Sequence, residues 1–244
     1  MSGVRKVPIN RNLSVAEMDD MADEVLIRII TTDNKLLANM LATPMDLEDL
    51  VRGHVLSEGL GVIESVKIKG HEIVIEGEFR ERKLLSTSSP SCGACSSEDA
   101  SQIFAVDENP RHIAFTWDKI HAGMERMRSE QVLFNKTGGT HAAALLSEQD
   151  FVLKEDVGRH NAVDKVVGAT DNHSNYALLL SSRGGVELIA KACRVGIGLV
   201  ACQGAASSAA ADFVRSSGMT LIAFCRDGEG VVIGDNSRII GGND

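Results

Sequence analysis

Two cysteines, Cys92 and Cys95, stand in the tract SSPSCGACSSED over residues 88–99. The tract holds Ser, Pro, Gly and Ala and no bulky apolar residue, so it reads as a loop. A thiol pair at this spacing serves one of four chemistries: half of a zinc site, a redox dithiol, a structural disulfide, or a nucleophilic carrier of sulfur. Structural zinc needs four ligands, commonly from two such pairs. The other cysteines, Cys193, Cys202 and Cys225, are widely separated and supply no second pair. The deaminase zinc signature, H-x-E followed by P-C-x-x-C, is approached by Pro90 to Cys95 with one residue inserted. Upstream, however, His71 abuts Glu72 and His54 lies four residues before Glu58, so a zinc nucleoside deaminase is a minor alternative. A redox dithiol usually opens a helix after a strand, whereas the flanks here are Ser and Pro. A sulfur carrier fits best, because a thiolate on an open loop can attack a sulfur donor, hold a persulfide and pass it on. Residues 86–99, as flexible coil, would span about 20 Å, so a mobile loop is expected over 86–110.

Four further stretches can do chemistry through their amides and cations. GRHN at 158–161, SSRGG at 181–185, QGAASS at 203–208 and CRDGEG at 225–230 each fall between expected elements. Glycines there allow tight turns, arginines offer a planar donor fork, and helix N-termini attract anions. Turn chemistry alone selects Gly and Ser, but four such loops on one sheet would make a rim suited to a ligand with several phosphates. None matches a Rossmann G-x-G-x-x-G or a Walker loop. TGGTH at 137–141 precedes a strand, with Thr140 and His141 as polar candidates. His160 lies four residues before Asp164, so the two are expected to share a helix face and pair.

The elements that must position these groups follow from periodicity. Residues 24–30 and 35–41 read as strands about the turn TTDN, followed by a helix capped by Asp46 in which Leu47, Leu50, Val51 and Val55 share a face. Strands at 62–70, 71–77 and from Phe79 complete a β-rich N-terminal domain over 1–85. After the loop, one helix is expected at 118–133. Strands then alternate with helices to the C-terminus, predicting an α/β domain over 111–244 with a largely parallel sheet. The N-terminal 14 residues are polar and lack the apolar run of a secretory signal. The net charge of −9 and only 4% aromatic residues argue against nucleic-acid binding, which needs clustered cations and stacking surfaces. No long apolar run or secretory signal occurs, so a cytoplasmic protein with no membrane span is expected.

CGAC, TGGTHAAAL (137–145), GRHNAVDKVVG (158–168), SSRGGVELIAKA (181–192) and GMTLIAFCR (218–226) together resemble the FdhD family of formate dehydrogenase accessory sulfurtransferases, in its order and from about residue 24 onward. That resemblance implies a homodimer whose C-terminal part is a cytidine-deaminase-like three-layer α/β/α domain without the deaminase zinc. It implies transfer of sulfur from a cysteine desulfurase to the molybdenum (or tungsten) bis-molybdopterin guanine dinucleotide cofactor, in support of formate dehydrogenase. It makes Cys92 the persulfide carrier with Cys95 assisting, and Phe224, Cys225, Arg226, Asp227, Gly228 and Glu229 the cofactor-binding stretch. Arg159, His160, Ser182, Arg183, Thr140 and His141 are the further binding candidates, and guanine nucleotide is the corresponding small ligand. The chain departs from the family pattern at Ser96, in QGAASS and at Gly184-Gly185. A binding chaperone that holds the cofactor without carrying sulfur is the main alternative.

Overall fold

The computed structural model describes residues 2–11, 15–80, 110 and 112–241. The chain opens with a hairpin that the sequence reading did not single out, β1 (Val4–Arg11) and β2 (Val15–Ala22), with Val4 opposite Ala22. A four-stranded sheet follows in the order β4-β3-β6-β5, built from β3 (Val25–Thr31), β4 (Leu36–Ala42), β5 (Gly61–Lys69) and β6 (Glu72–Phe79). Helix α1 (Leu47–Ser57) packs Leu47, Leu50, Val51 and Val55 against Ile27, Ile29, Ile73 and Ile75 of that sheet, as the apolar stripe requires. Asp46 does occupy the N-cap, but in a left-handed conformation (φ 51°) with no capping bond from its side chain. Its carboxylate takes Lys154 instead, at 2.9 Å.

The C-terminal sheet has six strands in the order β13-β12-β11-β10-β8-β9. These are β8 (His141–Leu146), β9 (Phe151–Asp156), β10 (Ala177–Leu180), β11 (Leu199–Cys202), β12 (Thr220–Arg226) and β13 (Glu229–Gly234). Helix α2 (Trp117–Glu130) covers one face through Ile120, Met124 and Met127. Helices α4 (Arg159–Gly168), α5 (Val186–Arg194) and α6 (Ser208–Ser216) cover the other. The three layers are therefore as expected, but the sheet is mixed: only β10–β11 and β11–β12 run parallel. Those are the two pairs joined by a helical crossover; β8–β9 and β12–β13 are hairpins and β10 pairs with β8, all antiparallel. The single helix expected at 118–133 is broken at Gln131, after which a short helix α3 (Val132–Thr137) begins. Strand β7 (Phe115–Thr116) pairs with β14 (Ile239–Ile240) ahead of α2.

The two sheets are joined through their helices. A Cβ on Gly53 of α1 would lie 1.6 Å from the Asp164 carbonyl oxygen, and one on Gly168 of α4 would lie 1.9 Å from that of Asp49. Backbone therefore meets backbone here, which only glycine permits. Beside this contact, Lys191 reaches Asp164 at 2.7 Å and Glu58 at 2.8 Å, while Ser57 Oγ donates to Asp164 Oδ1 at 2.6 Å. Burial alone would raise the pKa of Asp164, but Lys191 and His54 outweigh it and hold it below the carboxylate range.

Candidate functional site

The carboxyl ends of β9 to β12 and the start of β8 meet at one edge of the C-terminal sheet. Two loops there are cross-tied: Gly184 N–H donates to Ala205 O at 3.0 Å and Gly204 N–H to Ser182 O at 3.1 Å. A Cβ on Gly184 would lie 3.1 Å from Cys202 Sγ and 3.4 Å from Leu221, so a larger residue there would need the Cys202 side chain to give by a few tenths of an ångström. Helices α4 and α5 begin at this edge on Gly158 and Gly185, neither with a side-chain cap, so their first amides are free for an anion.

The GRHN turn is fixed from beneath by Asp156. Its Oδ1 accepts from Gly158 N and Asn161 Nδ2, its Oδ2 from Thr43 N, and Lys165 Nζ lies 2.7 Å away with both side chains fully buried. Asn161 Nδ2 also donates to Leu41 O at 2.7 Å. Half of the GRHNAVDK stretch is thus framework, anchoring α4 to the N-terminal layer. The expected His160–Asp164 pair does not form as such: the carboxylate of Asp164 is occupied by Lys191, Ser57 and His54 Nδ1. His160 keeps only a longer-range attraction to it. Burial, Lys191 and Arg159 lower the His160 pKa against the opposing pull of Asp164 and Glu187.

His141 sits opposite Asp156 in the β8–β9 register. Burial and the Arg159 charge lower its pKa, Asp156 opposing, so its imidazole is neutral at neutral pH. Thr140 donates its hydroxyl to Glu155 Oε1 at 3.0 Å and Ser182 donates to Arg183 O at 3.2 Å. Arg159, Arg183 and Arg226 form no ion pair among the described residues. These three guanidiniums and two uncapped helix starts offer donors to an anion at this edge, with Glu187, Asp227 and Glu229 of the same loops as opposing charges.

The stretch Phe224–Glu229 closes the rim. Phe224 is a left-handed residue (φ 53°) at a bulge in β12, held by its N–H donating to Gly204 O at 2.9 Å, and its ring is 44% exposed. The bulge reverses side-chain parity, so Cys225 turns into the α2-side core while Arg226, Asp227, Gly228 and Glu229 face out. Asp227 (φ 54°) and Gly228 (φ 82°) form the two-residue turn into β13, a pattern that suits Asp-Gly. Trp117 steadies the turn, donating Nε1–H to Gly228 O at 3.1 Å. Cys225 contributes no thiol to the rim: it is fully buried 3.8 Å from His121, and burial pushes it up to about 12. Burial likewise raises Cys202 to about 11. Cys92 and Cys95 lie outside the described residues, as does nearly all of the expected 86–110 loop. Among the described residues no three His, Cys, Asp or Glu gather as metal ligands.

The sequence reading missed a cavity of about 950 Å³ that opens from the rim on the α2 side. His141, Ser181 and Gln203 belong to both, while Glu125 and Gln131 come from α2 and the break after it. The end of α2 and the unforeseen break after it supply that wall, and nothing in the local pattern marks the break.

Fold and rim define the class: an α/β/α sandwich with an arginine-bearing, glycine-rich sheet end, joined to a second β layer through paired helices. The FdhD/NarQ family model matches residues 22–240, and the chain belongs to that family. Proteins named sulfur carrier protein FdhD are 32% identical in Cupriavidus necator, covering 91% of this chain and 84% of that one. In Sulfurisphaera tokodaii the identity is again 32%, covering 97% and 98%. In Streptomyces avermitilis it is 34%, covering 96% and 94%. A crystal structure assigned as a formate dehydrogenase accessory protein of Desulfotalea psychrophila shares the fold, with a TM-score of 0.79 at 21% identity over 97% of this chain and 98% of that one.

Proposed function

We propose that this protein is a sulfur carrier serving formate dehydrogenase, with Cys92 as the carrying thiol. The observation that supports it most is the near full-length match to relatives named as sulfur carriers, in a chain that contains the C-x-x-C pair. In loading, the Cys92 thiolate attacks the outer sulfur of a persulfide on a cysteine desulfurase. One S–S bond forms, one breaks, and the desulfurase cysteine leaves as thiolate. In unloading, the Cys95 thiolate attacks Cys92 Sγ and expels the outer sulfur as HS⁻. The two electrons come from the thiol pair, which becomes a disulfide that a cellular dithiol reduces.

The acceptor is the molybdenum or tungsten bis-molybdopterin guanine dinucleotide, a substrate here and not a resident cofactor. Its phosphates suit the rim: Arg159, Arg183 and Arg226 have no ion-pair partner among the described residues, and the starts of α4 and α5 have no side-chain cap. Phe224 presents a ring to the same edge. The neutral imidazoles of His141 and His160 are placed to take the proton released when a thiol ionises. The family resemblance also supports a homodimer in the cytoplasm. Separately, among the described residues no helix is long and apolar enough to cross a membrane.

The test is mass spectrometry after incubation with a desulfurase and cysteine. The wild type gains the mass of one sulfur on Cys92, and Cys92→Ala gains none and fails to support formate dehydrogenase while keeping its fold. A wild type that gains no sulfur yet binds the cofactor is the chaperone instead.

A further inference from the structure

Little holds residues 226–229 in place. Arg226, Asp227, Gly228 and Glu229 are all exposed, and a Cβ on Gly228 would meet nothing within 4 Å. Packing therefore does not fix the tip of this turn. Local geometry does not fix it either, since Gly228 (φ 82°) can adopt either sign of φ. Arg226 pairs with Glu229 across the turn, but a register shift separates that pair from the rest of β12–β13. Among the described residues, one side chain from outside the hairpin bonds to the tip: Trp117, whose indole N–H donates to Gly228 O at 3.1 Å.

Trp117 is itself firmly seated. It is the first residue of α2, directly after the Thr116 cap, whose Oγ accepts from Lys119 N at 3.2 Å. Phe115, 1% exposed, precedes that cap and lies opposite Ile239 in the β7–β14 pair. The indole tilts against the His121 ring, with centroids 4.8 Å apart. Its outer edge lies over Gly230 of β13, where a Cβ would come within 3.0 Å of the indole and 2.7 Å of Ile222. A side chain fixed in this way can impose a position on a tip that has none of its own. The chain also reaches Trp117 from the thiols: it follows Cys95 by 22 positions, and on the way His112 Nε2 lies 2.8 Å from Ser237 Oγ. We propose that Trp117 is a positioning residue for sulfur delivery, its N–H setting the Gly228 carbonyl and with it the direction in which the turn presents Arg226 to the acceptor. This rests on the reading that the 224–229 stretch meets the acceptor. It adds a residue outside the rim on which delivery depends and loading does not, because loading involves only Cys92 and the desulfurase.

The chain has a single tryptophan, so the bond can be edited without touching anything else. A tryptophan-requiring host supplied with β-(benzothiophen-3-yl)alanine replaces the indole N–H with sulfur and keeps the ring system. Two steps are then read on the full-length protein: the mass of sulfur gained on Cys92 from a desulfurase and cysteine, and the rate at which the loaded protein restores activity to formate dehydrogenase from cells that lack the carrier. The substituted protein should load as the wild type does and melt close to it. Its delivery should be slower by about fivefold, the scale of one ordinary hydrogen bond. Trp117→Phe, which also lacks the donor, should show the same split between loading and delivery. The proposal is overturned if the substituted protein delivers as fast as the wild type. It is overturned equally if melting temperature, loading and delivery fall together, the result for a merely structural tryptophan. Slow delivery from Trp117→Phe alone would assign the effect to ring size and overturn the role of the N–H. A wild type that takes up no sulfur would sink the carrier reading itself, and this proposal with it.

Discussion

Lys165→Met would put the framework beneath the GRHN turn to its hardest test. Lys165 and Asp156 are both fully buried, 2.7 Å apart. Lys165 Nζ also donates to Thr43 O at 3.1 Å and Glu155 O at 3.3 Å, so the ammonium is well satisfied. Methionine fills nearly the same volume, which removes the cavity contribution and isolates the charge. Breaking a buried pair by removing one partner costs about 3–5 kcal/mol, since the other charge stays behind uncompensated. Asp156 would keep three neutral donors, from Thr43, Gly158 and Asn161, which places the expected loss near the lower figure, at about 3 kcal/mol. With a urea m-value of about 2–3 kcal/mol/M, the unfolding midpoint should fall by about 1 M with the slope unchanged. Asp156→Asn combined with Lys165→Met should recover most of that loss, because a neutral pair leaves no stranded charge. A loss below about 1 kcal/mol in the single variant, or a double variant worse than the single, would refute the claim that this pair fixes the turn.

Two further outcomes are expected. Thiol titration of the native protein should find no more than two fast-reacting groups and the unfolded protein all five, since Cys193, Cys202 and Cys225 are buried; a third fast thiol would contradict the packing of β11 or β12. Stability should fall as pH drops below the ordinary histidine value of 6.5. His141 and His160 have folded pKa values below it, so the unfolded chain binds protons first and is favoured on acidification. Replacing both with Gln should flatten the profile between pH 7 and 5, and an unchanged slope, followed by urea midpoints, would count against their burial.

Much of the architecture was legible in the chain because the signals are local. The stripe of Leu47, Leu50, Val51 and Val55 lies on the face that packs, and Asp-Gly at 227–228 makes the turn such a pair favours. Strand direction was not legible: β10, β11 and, after His141, β8 are uniformly apolar and buried on both faces, which reads the same whichever way a neighbour runs. The β1–β2 hairpin was lost for a related reason, its residues being too polar to show alternation.

By itself the sequence determined the family, the thiol pair, the layered fold and the places where glycine and arginine cluster, because residue type and spacing suffice for those. Tertiary structure alone decided which polar residues are framework and which are free. Asp156, Asp164, Lys165 and Lys191 look as reactive in the chain as Arg159 or His141, yet they are buried and mutually neutralised. Solvation and partnership are set by everything that surrounds a group, and those surroundings come from parts of the chain more than a hundred residues away, as Asn161 and Leu41 are.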